Sequence, residues 1–249
     1  MLKQLSEAAY REDALIVAGD IGDKIETIRD TLSLLRSKFR QVFYVPGNHE
    51  LWVRNESFDS VEKLRRVLEL CETLRVQVRP ARAAGLWVVP LFSWYDAGFD
   101  AGDEGEDGRH AARELEAWSD FYLCKWPEGI GPLSAFFLEM NARHLRSYDA
   151  PVVSFSHFVP RRELLPPREY LRFKGLPKVA GSLALDAQIR ELKSVIHVFG
   201  HSHISCDKVI DGVRYVQNAL CYPRERTSSS FPVKMIWDSS MPPEKLTPA

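Results

Sequence analysis

Four short apolar runs in this chain end in the same way, and that repetition constrains the fold more than any other feature. Leu15-Ile16-Val17-Ala18 stops at Gly19-Asp20-Ile21-Gly22-Asp23, and Val42-Phe43-Tyr44-Val45 stops at Pro46-Gly47-Asn48-His49-Glu50. Pro151-Val152-Val153-Ser154-Phe155 stops at Ser156-His157, and the run from Ser194 to Phe199 stops at Gly200-His201-Ser202-His203. Short apolar runs of this kind read as strands buried on both faces. After the first run, Ile25, Ile28, Leu32, Leu35 and Phe39 recur at helical spacing, and residues 58–74 form a second amphipathic helix. Strand, helix, strand, helix implies parallel βαβ units. In such sheets the carboxyl ends of the strands share one rim, which is where ligands bind. Each run therefore carries a carboxylate, an amide or an imidazole to that rim.

The remaining chain reads as one domain over residues 1–249. Residues 2–10 have the spacing of an amphipathic helix, 86–91 of a third strand, and 133–148 and 183–192 of helices. Residues 160–178, rich in Pro and Arg, read as an extended loop. Val209-Ile210 and residues 213–216 pair as a hairpin about Asp211-Gly212. Residues 233–237 suit a last strand, and the chain beyond 238 a frayed tail. The stretch from about 92 to 132 is irregular and reads as an insertion. Its acidic segment 100–108 suits a solvated loop, and Trp94, Tyr95, Trp118, Phe121, Tyr122 and Trp126 suit either a packed insertion or, the reading preferred here, a cap over the cleft.

A formal net charge of -1 offers no electrostatic footprint for nucleic acid or anionic membrane, which leaves a nucleic-acid substrate open through a local basic patch but unsupported, and implies no membrane partner. No apolar run is long enough to span a bilayer. The four cysteines are scattered without a CxxC pair, and the N-terminus lacks the apolar centre of a secretory signal. Both features suit a reducing, cytoplasmic compartment, unless a targeting segment precedes Met1, so the compartment stays open.

Carboxylate (Asp20), amide oxygen (Asn48) and imidazole (His157, His201, His203) together suit Mn, Fe or Zn rather than Ca. A backbone turn at Gly200 lets His201 and His203 face different neighbours, as two adjacent ions would need. Taken singly, His157 also reads as a packed or capping histidine, and His201 with His203 as a lone zinc pair or a turn. His110 and His144 fall in helices and His197 inside a strand, where a structural role is the plain reading.

GDIGD, GNHE, the strand-end His157 and GHSH, in this order, resemble the calcineurin-like metallophosphoesterases, and the matches span Gly19 to His203. The resemblance implies an α/β fold, an αββα sandwich of two mixed β-sheets, with a dinuclear metal centre at the strand ends. Asp20 would bridge both ions. Asn48, His157 and His201 would complete the second ion's shell, and His203 would bind the first. His49 would hydrogen-bond the phosphate and protonate the leaving oxygen, with Asp23 orienting it as a dyad. Glu50 would only support them.

One departure follows from the same resemblance. The family opens with Asp-x-His at the end of a first strand, and this chain begins inside the helix that follows it. The expectation is a truncated reading frame, a sandwich lacking its first strand, and neighbouring strand edges left unpaired. The family's two divalent ions would then be reduced to one. The activity implied is hydrolysis of a phosphomonoester or phosphodiester by a metal-activated hydroxide. The alternative is a catalytically impaired, truncated member serving as a protein-binding scaffold. The substrate would be a phosphate-ester small molecule or nucleotide. Arg161, Arg162, Arg168, Arg172 and Lys174 suit either phosphate contact or a solvated loop, and Tyr170 and Phe173 could stack a base.

Overall fold

A computed structural model describes residues 2–100, 106–226 and 233–239. Its strands are β1 (Ala14–Val17), β2 (Gln41–Tyr44), β3 (Ala81–Ala83), β4 (Leu86–Pro90), β5 (Val152–Phe155), β6 (Ser194–Val198), β7 (Cys206–Ile210) and β8 (Val213–Gln217). Its α-helices are α1 (Ile25–Lys38), α2 (Ser60–Thr73), α3 (Glu106–Leu115), α4 (Asp120–Leu123), α5 (Leu133–Glu139), α6 (Leu176–Val179) and α7 (Leu183–Glu191). Strands β1 and β2 form a parallel pair, and the other six form a mixed sheet in the order β3-β4-β5-β6-β8-β7. Strands β4, β5, β6 and β8 run parallel, so their carboxyl ends reach the same rim.

The period of two along each strand builds the layers. Val42 and Tyr44 of β2 face α1 and α2, where they meet Ile28, Leu32, Leu35, Val67 and Cys71. Phe43 and Val45 face the other way and pack on Val88 and Phe155 of the six-stranded sheet. The far side of that sheet, through Val89, Val152 and Tyr215, covers Leu185 and Ile189 of α7. Helices, sheet, sheet, helix is the αββα sandwich. Helix α2 begins where Asp59 accepts a hydrogen bond from Glu62 N at 2.8 Å. Helix α1 carries Glu26 in its first turn and Arg36 and Lys38 in its last, matching its dipole. Among the described residues β1 pairs only with β2, and its other edge lines a cleft of about 1290 Å³ that opens onto the rim.

Several elements differ from the sequence pattern, each for a local reason. Residues 2–10 form only a short 3-10 turn, Leu2–Gln4. The Ser6 hydroxyl accepts from Ala8 N and Ala9 N, and Lys38 Nζ takes the Leu5 carbonyl at 2.6 Å, so the helical ladder has competitors. The helix at 133 stops at Glu139. Asn141 follows, buried, and its side chain bonds Phe92 N, Phe92 O and Gln188. Residues 160–178 contain two 3-10 turns and α6. Residues 233–237 make no ladder and are held by Arg214 to Ile236 O and by Trp237 Nε1 to Ala84 O. Strand β3, joined to β4 by a turn at Ala84-Gly85, had no strong apolar pattern to announce it. Of the acidic segment, residues 101–105 lie outside the described residues, as does most of the tail. Asp100, though, is buried and paired with Arg162 and Arg168.

Phe43 has no exposed surface and fills the space between the two sheets. Phe43→Ala is expected to lower unfolding free energy by about 3–5 kcal/mol, measured by urea denaturation.

Candidate metal centre

The chain leaves β1 through two residues in the left-handed region, Gly19 (φ 81°) and Asp20 (φ 59°). A Cβ on Gly19 would lie 2.6 Å from both Gly47 N and His157 Nδ1, so only glycine lets these strand ends close up. Glu50 then ties the two loops together. One of its oxygens accepts from Asp20 N at 2.9 Å and Gly47 N at 2.6 Å, and the other from Ile21 N at 2.5 Å and Gly22 N at 3.3 Å. Its side chain is fully buried. Burial and the neighbouring Asp20 push its carboxyl upward, opposed by His157 and the hydrogen bonds it accepts.

Within this frame four side chains converge. His157 Nε2 lies 3.1 Å from Asn48 Oδ1, 3.2 Å from His201 Nδ1 and 3.4 Å from Asp20 Oδ2, and His201 Nδ1 lies 3.2 Å from Asn48 Oδ1. Each ring's second nitrogen is committed to a backbone carbonyl, His157 Nδ1 to Ala18 O at 2.7 Å and His201 Nε2 to Val179 O at 3.0 Å. A carbonyl can only accept, so those nitrogens carry the protons and the inward ones present lone pairs. Burial lowers the basicity of both imidazoles, that of His201 well below the usual range, and keeps them neutral. The amide of Asn48 is oriented by Asp120, whose Oδ1 accepts from Nδ2 at 2.9 Å, leaving Oδ1 of Asn48 facing inward. Three lone-pair atoms, His157 Nε2, His201 Nδ1 and Asn48 Oδ1, thus face one another beside the Asp20 carboxyl with no proton between them. That arrangement is repulsive unless a cation sits among them. The separations also match the edge of about 3.3 Å in a tetrahedron of metal–ligand bonds of about 2.0 Å. The residues present fit a divalent ion of the Mn, Fe or Zn type.

The other expected site residues lie close by with different partners. His203 turns from the four-atom cluster, and its Nδ1 lies 2.9 Å from Glu225 Oε2. The His49 ring stacks on Trp52 at 3.8 Å, and its Nε2 is 3.9 Å from Asp20 Oδ2 and 3.2 Å from Tyr222 Oη. Burial lowers its basicity, with Asp20 opposing. The expected His49–Asp23 dyad is not made among the hydrogen bonds of the described residues. Asp23 Oδ2 accepts instead from Arg54 Nε at 2.6 Å, and the guanidinium, always charged, outcompetes a neutral imidazole. The same contact counters burial and draws the Asp23 carboxyl below its usual range.

Three contributors escaped the sequence reading in whole or part. Glu50 was given only a supporting role. Asp120 sits in the irregular insertion, yet it gathers Asn48, Trp52 Nε1 at 2.6 Å and Trp118 Nε1 at 3.0 Å. A lone acid amid tryptophans was the available signal. Tyr222 lies beyond the last motif. The basic loop has other work: Arg161 pairs with Glu163, Asp186 and Asp211, Arg162 and Arg168 with Asp100, and Lys174 bonds the carbonyls of Arg168 and Glu169. The histidines read as structural are so placed. His144 bonds Pro90 O, His197 lies between the hydroxyls of Ser154 and Ser156, and His110 meets Glu114.

Glu50→Gln puts an NH2 group against backbone donors. It is expected to cost about 1–3 kcal/mol in urea denaturation. It should also weaken metal binding at the Asp20 cluster, which calorimetric titration with Mn²⁺ or Zn²⁺ would read.

Comparison with known proteins bears on the family and the fold. A sequence model described as calcineurin-like phosphoesterase matches residues 1–205. The [acyl-carrier-protein] phosphodiesterase PptH of Mycobacterium tuberculosis is 30% identical over 246 residues, covering 90% of this chain and 74% of that protein. The crystal structure of a phosphopantetheinyl hydrolase, PptH, from Mycobacterium tuberculosis superposes with a TM-score of 0.73 at 28% identity, covering 92% of this chain and 88% of the other. Members of the matched family use divalent metals to hydrolyse phosphate esters. The chain described here belongs to the calcineurin-like phosphoesterase family and is a hydrolase acting on phosphate esters.

Proposed function

We propose that this protein is a metal-dependent phosphodiesterase that releases the phosphopantetheine group from an acyl carrier protein. The observation that carries the metal requirement is the convergence of Asp20, Asn48, His157 and His201, with both imidazoles and the amide turning lone pairs inward. The substrate class rests on the activity named for the 30% identical relative. A divalent ion held by these four residues would polarise a phosphoryl oxygen and bring the pKa of a water toward about 7.

The side chains around it have distinct tasks. Asp20 supplies the negative charge of the set, and its Oδ1 accepts from His49 N at 3.2 Å, fixing the histidine's backbone to the centre. Trp52 holds the imidazole by stacking, so Nε2 stays aimed over Asp20 toward the rim. There His49 donates its proton to the ester oxygen on the carrier's side as a water oxygen bonds to phosphorus and that P–O bond breaks, so the protein alcohol departs neutral and phosphopantetheine is freed. Tyr222 stands at the same nitrogen. Asp120 keeps the Asn48 amide oxygen turned inward, a role that metal sites assign to neighbours of their ligands.

The test is incubation of the protein, loaded with Mn²⁺, Fe²⁺ or Zn²⁺, with a phosphopantetheinylated carrier, reading the carrier's loss of mass. Release of the group supports the reading. Intact carrier alongside rapid hydrolysis of aryl phosphomonoesters would overturn the substrate class. Asn48→Ala and His157→Ala are expected to lose bound metal and activity together. His49→Ala should keep its metal and lose roughly 10²–10⁴-fold in kcat. Asp120→Asn should weaken metal affinity by about 10–100-fold at similar thermal stability.

A further inference from the structure

A second group of ligand atoms stands on the same rim and is unused by the chemistry above. Strand β8 runs parallel to β6, so the chain leaving it emerges beside the chain leaving β6. That exit brings Cys221 and Glu225 to His203. One ligand atom from each of the three lies within 4.8 Å of the others. Glu225 Oε2 is 2.9 Å from His203 Nδ1 and also accepts from Tyr222 N at 3.1 Å, which holds it in place. The Cys221 thiol points at the His203 carbonyl, 3.5 Å away, and the Cys221 carbonyl is anchored by Arg226 Nη2 at 3.1 Å. His203 and Glu225 are about one third exposed, so an ion has a path in.

The backbone sets these residues apart as well. Among the described residues, the non-glycine residues with positive φ are Asp20, Arg75, Ala84, Lys193, His201, His203, Asp211 and Cys221. Arg75 and Lys193 follow the ends of helices, and Ala84 and Asp211 sit in hairpin turns, where this conformation is ordinary. The remaining four, Asp20, His201, His203 and Cys221, are all metal-ligand types on one rim. Strain of this kind persists where the surroundings require it and gathers at functional sites.

We propose that His203, Cys221 and Glu225 form a second divalent-cation site of the zinc class beside the Asp20 cluster. Cys221 and Glu225 lie beyond residues 1–205, the part matched by the family model. One nitrogen, one sulfur and one carboxylate oxygen suit Zn²⁺ or Co²⁺ and disfavour Mg²⁺ and Ca²⁺. Binding forms bonds to Nδ1, Sγ and Oε2. The Cys221 proton leaves to solvent, and the His203 proton now facing Glu225 leaves Nδ1, with Nε2 carrying the ring's proton. Three protein ligands leave a position open beside the Asp20 cluster, as in hydrolytic zinc sites. The site stands whichever phosphate ester the protein cleaves.

Cobalt distinguishes the two centres, because only this one contains sulfur. The full chain, reduced and metal-free, is titrated with Co²⁺ while absorbance is followed. A thiolate-to-cobalt charge-transfer band in the near ultraviolet is expected, bleached by added Zn²⁺. Cys221→Ser should abolish the band and lower cobalt stoichiometry by one equivalent. Cys206→Ser should leave it. Glu225→Gln, a surface change that preserves folding, should weaken the band's cobalt affinity by about tenfold or more. Asn48→Ala should keep the band while losing the visible bands of the sulfur-free centre, so failure of one site is read apart from failure of the other. Absence of the band in the wild type, or its persistence in Cys221→Ser, overturns the proposal.

Discussion

The rim depends on one buried carboxylate. Glu50 collects the backbone N–H groups of Asp20, Ile21, Gly22 and Gly47, which are the last donors of two separate strand ends. Neither loop has a ladder to satisfy those groups, and burying them unpaired would cost a few kcal/mol in total. A single side chain removes that penalty and sets the spacing between the residue that brings charge and the residue that brings an amide oxygen. The price is a second acid beside Asp20 in a dry site, and the basicity of both carboxylates rises with burial. A cation is the natural partner for such a pair.

The ligands themselves are held by what they do with their other atoms. Each imidazole surrenders one proton-bearing nitrogen to a main-chain carbonyl, and the amide surrenders its NH2 to Asp120. Orientation is thus set before any ion arrives, and little freedom is lost on binding. Asp120 comes from a stretch that contributes nothing to either sheet. The sandwich makes the rim, and the insertion aims one of its key atoms.

Much of this was legible in the chain, because buried strands declare themselves as apolar runs and rim residues as the polar types that end them. The strands ending at Asp20, Asn48, His157 and His201 all form, and those four side chains meet. The missing parts share a cause. Contacts between distant segments leave no local pattern: Arg54 claiming Asp23, Glu225 claiming His203, and Asn141 stopping α5 to bind Phe92 all involve side chains whose partners are set by tertiary placement. The basic loop was open in the sequence for the same reason, since a run of arginines looks identical whether it meets phosphate or neutralises Asp100, Asp186 and Asp211, with which Arg161, Arg162 and Arg168 pair.

The insertion is sewn to the catalytic side of the molecule at several points. Val53 N donates to Leu123 O, Ser60 N to Lys125 O and Asn48 Nδ2 to Asp120, while Trp118 stacks on Phe173 and meets the edge of His201. Trp94, Phe99 and Cys124 of this segment are buried, and Trp94 packs among Tyr95, Trp126, Phe137 and Phe158, an apolar cluster apart from the one between the sheets. The aim of the Asn48 amide and the wall beside His201 therefore rest on aromatic packing that lies outside the ligand set. Loosening that cluster would blunt the chemistry from a distance, with both sheets still paired.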